Sequence, residues 1–162
     1  MYTAIWCKIK ELAPMLHKNL KFTITDYETA AMVTLEQQFP SSIVKGCWFH
    51  YNQAVLRKWR HLGLTDAPTK VLSMAMTLAL VSTDLFEQRF LEIEREAASF
   101  ISEYVAIKIF IEYIRSTWLP KADKVSVNDC PMRTNNITEC YNNIVLLKMG
   151  KGKKNIGYFW KN

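Results

Sequence analysis

The chain has 162 residues, about half of them hydrophobic, with a formal net charge of +6. That is long enough for one domain with a real core and too apolar for wholesale disorder. The longest apolar run, Val71 to Val81, is broken by Ser73 and Thr77 and falls short of the roughly 20 residues of a membrane span. Together with irregularly spaced cysteines (Cys7, Cys47, Cys130, Cys140) and no leader pattern, this gives the expectation of a soluble intracellular protein without a disulfide scaffold or a membrane partner.

Tyr2, Ile5, Trp6, Ile9 and Leu12 follow helical spacing, and Pro14 is expected to end that helix. Leu20 to Thr25 reads as a short strand and Tyr27 to Phe39 as a helix stopped by Pro40. Ser42 to Trp48 is rich in β-branched and apolar residues and reads as a second strand. A helix follows from about Phe49 to Leu62, with Gly63 as its stop. Such alternation implies parallel strands joined by right-handed crossovers. From Pro68 to Trp118 the apolar spacing is helical throughout. Pro120 to Pro131 reads as a polar loop, then a last helix from about Asn136 to Met149 and a basic tail. Three regions result: an α/β part over residues 1–66, an all-helical insertion over 67–130, and a final helix and tail over 131–162.

Asp26 stands where a strand hands over to a helix. At the C-terminal end of a parallel strand a carboxylate faces the crevice where α/β proteins bind ligands, and it suits a hard cation. Thr25-Asp-Tyr-Glu28 equally fits a capping box, in which Asp26 merely complements the helix dipole. Glu139 has the same ambiguity, because Asn136-x-x-Glu139 also fits a cap with its N3 carboxylate. Cys47 and His50 suit zinc by residue type, but no second pair stands at finger-like spacing, so a buried thiol and a hydrogen-bonded imidazole are favoured over a zinc site. Two basic groups stand beside aromatic residues: Arg57, Lys58, Arg60 and His61 around Trp59, and Lys148, Lys151, Lys153 and Lys154 ahead of Tyr158 and Trp160. Either group suits phosphates and stacked bases, or forms a solvated face over core aromatics.

The ordered segments "ITDYETA", "GCWFHYNQAVLRK" and "RTNNITECYNN" resemble the transposase domain of Mutator-like elements over about residues 22–143. The resemblance implies a ribonuclease-H-like α/β fold with an all-helical insertion, mostly helical overall. It also implies DNA cleavage and strand transfer through two divalent metals, Mg²⁺ or Mn²⁺, held by Asp, Asp and Glu. Asp26 matches the second Asp of that set, Glu139 matches the Glu, and Cys47 and His50 match the family's Cys-x-x-His. The first Asp, within a segment like "DGTF", has no counterpart in this sequence. The resemblance therefore implies a partial ribonuclease-H-like fold, an N-terminally truncated transposase fragment inactive alone, with DNA as partner and a nuclear location. The unpaired edge of Leu20–Thr25 further suggests pairing with another copy of the chain.

Overall fold

A computed structural model describes residues 2–136 and residue 140. Its architecture is mostly helical, with a two-stranded parallel sheet flanked by helices. Helices α1 (Tyr2–Leu12) and α2 (Pro14–Asn19) lead into β1 (Phe22–Thr25). Pro14 does end α1, but it also opens α2 from its first position, where its missing N–H costs nothing. Helix α3 (Thr29–Gln38) crosses over to β2 (Ile43–Gly46). The two strands pair in parallel, Phe22 opposite Ile43 through Thr25 opposite Gly46. Among the described residues β1 carries no strand on its other edge.

Helix α4 (Trp48–His61) leaves the end of β2 and ends at Gly63, whose φ of 68° is the left-handed conformation glycine adopts freely. Then come α5 (Thr69–Thr77), α6 (Phe86–Ala98) and α7 (Ala106–Thr117), with short 3₁₀ turns between α5 and α6. The expected polar loop at 120–131 is different. It contains a 3₁₀ turn, the short helix α8 (Ala122–Val125), and a buried Val125-Ser126-Val127 strip. Ser126 is tolerated there because its hydroxyl donates to the Val81 carbonyl at 2.7 Å. The expected last helix, residues 136–149, lies almost wholly outside the described residues.

Two clusters make the core. The small one joins Met32, Leu35 and Phe39 of the α3 region to Val44 of β2, with Trp6 of α1 edge-on to Phe39 at 5.4 Å. The large one spans α4 to α8. Helix α4 feeds it Tyr51, Val55 and Trp59, spaced by four, so one face of α4 is buried and the opposite face is left to solvent. Trp118 closes the large cluster toward the sheet, its ring edge-on to Tyr27 at 4.9 Å and to Tyr51 at 5.0 Å.

Two tyrosines, Tyr51 buried and Tyr27 half-buried, set an alkaline limit. Burial holds the Tyr27 and Tyr51 phenols well above the ordinary value of 10.0. A proton bound more tightly in the folded state stabilises the fold fully below the unfolded value. That contribution is lost as pH rises above about 10 toward the folded values. We expect unfolding in moderate urea to begin above pH 10 and to coincide with tyrosinate absorbance. Full tyrosine ionisation while the far-ultraviolet dichroism stays native would contradict it.

Candidate functional site at the end of the first strand

β1 ends at Thr25, whose carbonyl accepts the Cys47 N–H at 2.9 Å, so the last rung of the ladder places Asp26 beside the start of α4. Cys47 precedes the first turn of α4 and is fully buried. His50 lies in that first turn, and its Nδ1 approaches Asp26 Oδ1 at 3.0 Å. The same Oδ1 accepts from Asn135 Nδ2 at 3.0 Å. Asn135 is delivered by the segment returning from the helical part, which is fixed to α4 where the Trp48 N–H donates to the Arg133 carbonyl at 2.9 Å.

One carboxylate oxygen of Asp26 thus accepts a hydrogen bond from a segment 109 residues away in sequence and lies within ion-pair distance of His50 on α4. No described residue donates a hydrogen bond to Oδ2, and the Asp26 side chain is 59 % exposed. The capping alternative does not describe it. Helix α3 begins after Glu28 with no side-chain cap, and the carboxylate of Asp26 accepts from Asn135 and faces His50 instead.

The fit to a hard divalent cation is partial. An oriented, accessible carboxylate is the right ligand type, and the Asn135 carbonyl oxygen, buried with no hydrogen-bond partner among the described residues, is another. No group of three or more His, Cys, Asp or Glu side chains placed to hold a metal occurs among the described residues. Glu139, Lys151, Lys153 and Lys154 lie outside them. Cys47 and His50 are not a matched pair. The thiol is enclosed beneath the end of the sheet while the imidazole faces Asp26.

The basic residues of α4 separate. Arg57 and Arg60 are exposed, whereas Lys58 is half-buried with its ammonium 5.4 Å from the centre of the Tyr113 ring on α7. Trp59, between them, is a core residue against Phe110 and is closed to bases. Asn135 and Lys108 were not distinguished by the sequence. No protein family, curated protein or solved structure matches this chain.

Proposed function

We propose that this chain is a segment of a Mutator-like transposase domain, with a partial ribonuclease-H-like fold, that binds DNA and places Asp26 and Glu139 for a divalent cation, Mg²⁺ or Mn²⁺. The convergence of Asp26, His50 and Asn135 carries this proposal, because each comes from a different one of the three segments behind the resemblance. In the two-metal scheme, bound ions align and neutralise the attacking and leaving oxygens of a phosphodiester. The role of the chain's own residues is positional. Asn135 donates to one oxygen of Asp26 and His50 stands beside that oxygen, leaving the other for a ligand. The motif matches account for two of three acidic residues, so strand cleavage by residues 1–162 alone is not expected. A nuclear location and pairing along the open edge of β1 belong to the same proposal.

Mn²⁺ titration followed by calorimetry tests it. Asp26→Asn should weaken binding by at least tenfold, and His50→Ala by about 10- to 100-fold, as when a partner that orients a ligand is lost. Equal Mn²⁺ affinity in wild type and Asp26→Asn would rule out Asp26 as a ligand. Mn²⁺-dependent nicking of DNA that Asp26→Asn abolishes would instead show that this chain is active alone. The exposed Arg57 and Arg60 favour an alternative, a non-catalytic DNA-binding relic, whose DNA affinity would survive Asp26→Asn and Glu139→Gln.

A further inference from the structure

Helices α4 and α7 bound an open groove of about 440 Å³, lined by Lys58, Lys108, Ile109, Glu112, Tyr113 and Ser116. Lys58 and Lys108 enter it from opposite walls, and Arg57 stands next to Lys58 on the exposed side of α4. Burial raises the Tyr113 phenol above its ordinary value, while the nearby Arg57 charge pulls it back. The one acidic residue lining the groove, Glu112, has its carboxylate 4.0 Å from Nε of Arg115, whose guanidinium pairs more closely with Glu94. Two lysines therefore share the groove with one acidic residue, around an aromatic ring whose face is already taken by one of the ammoniums.

The groove is also placed in line with the Asp26 site. Arg57 follows His50 by seven residues, two helical turns, so the two project from nearly the same side of α4 about 10 Å apart. A chain of negative charges passing His50 would meet Arg57 next and then the Lys58–Lys108 pair. Periodic, closely spaced negative charge is the property of a phosphodiester backbone, and paired lysines suit phosphates as point charges.

We propose that the α4–α7 groove binds the phosphate backbone of a DNA duplex, with Lys58 and Lys108 as the contacting cations, and carries the strand toward Asp26. This inference rests on the DNA-binding function proposed above and adds the path. The exposed Ile109 gives the groove an apolar floor against which sugar rings can rest.

The test is fluorescence anisotropy of a labelled duplex with the whole chain, from 50 to 300 mM salt. Wild type should bind with a steep salt dependence. Lys58→Gln/Lys108→Gln should weaken binding about tenfold or more near 100 mM salt, and lower the log–log salt slope by roughly two, one for each lost phosphate contact. Lys108→Gln alone, on an exposed helix position where folding is not at stake, should lower the slope by roughly one. If wild type binds no duplex even at low salt, the proposed function fails and the groove with it. If wild type binds and both lysine variants keep its slope, the groove inference alone fails. Binding to phosphatidylserine vesicles that the lysine changes abolish, with duplex binding untouched, would assign the groove to a membrane surface and overturn it.

Discussion

Trp59→Ala is expected to lower the unfolding free energy by about 3–5 kcal/mol, the range for removing a large aromatic side chain from a closed core. Trp59 is 2 % exposed on the buried face of α4, and its ring meets Phe110 of α7 edge-on at 4.9 Å. Its neighbours cannot close over the gap cheaply. Val55 and Tyr51 are fixed one and two turns back on the same helix, and Leu64 is held by its N–H bond to the Trp59 carbonyl. Urea unfolding monitored by circular dichroism should show a lower midpoint with an unchanged slope. A loss below about 1 kcal/mol would mean that α4 and α7 move together to fill the space, and that the large cluster is more pliable than its packing implies.

Gly46→Ala is the second large effect. A Cβ at Gly46 would stand 2.2 Å from two carbons of the Tyr27 ring, a separation real Cβ atoms essentially never show. The ring has little room to withdraw, because its edge packs on Trp118 at 4.9 Å. Overpacking of this kind costs about 1–3 kcal/mol, occasionally more. Here the upper end is expected, since the displaced ring belongs to the residue after Asp26. The check is a double-mutant cycle. Tyr27→Ala removes the obstacle, so Gly46→Ala should cost about 1 kcal/mol or less in that background, a coupling well above the additivity error. An equal cost in both backgrounds would show that the close approach to Tyr27 is not what demands glycine at this position.

The alternation of strand and helix through His61, and the helical stretch after it, were legible because apolar spacing survives in a single sequence. Boundaries were less so. The expected strand from Ser42 to Trp48 contracts to Ile43–Gly46, because the Cys47 carbonyl is already committed to the Tyr51 N–H of α4. The 120–131 segment misled through its Lys, Asp and Pro content. Its two buried valines are fixed by the Val127 N–H bonding to the Ala79 carbonyl, a long-range partner no local pattern announces. Asp26 and His50 stood out individually as a strand-end carboxylate and a helix-start imidazole. Their contact did not, since it depends on which way α4 leaves β2. Asn135 carries no local signal of its own beside the adjacent Asn136, whose capping pattern is the stronger one. Lys58 was grouped with Arg57 and Arg60 by proximity in sequence, but consecutive helical residues diverge by about 100°. Its neighbour across the α4–α7 groove is Lys108, an isolated lysine in an apolar helix.

The bond between Trp48 and Arg133 has a consequence for the order in which the molecule assembles. Asp26 and His50 belong to one β–α–β–α unit, so their half of the site needs little chain entropy to form. Asn135 joins only after an excursion through four helices, and Lys45 reaches the Asp123 carbonyl across 78 residues of the same excursion. Closing loops of that size carries an entropic cost of about 4 kcal/mol. The α5–α8 helices meet that cost by packing, since their termini must lie beside α4 for the large cluster to close. The helical part therefore acts as the clamp that brings Asp26 its donor, Asn135.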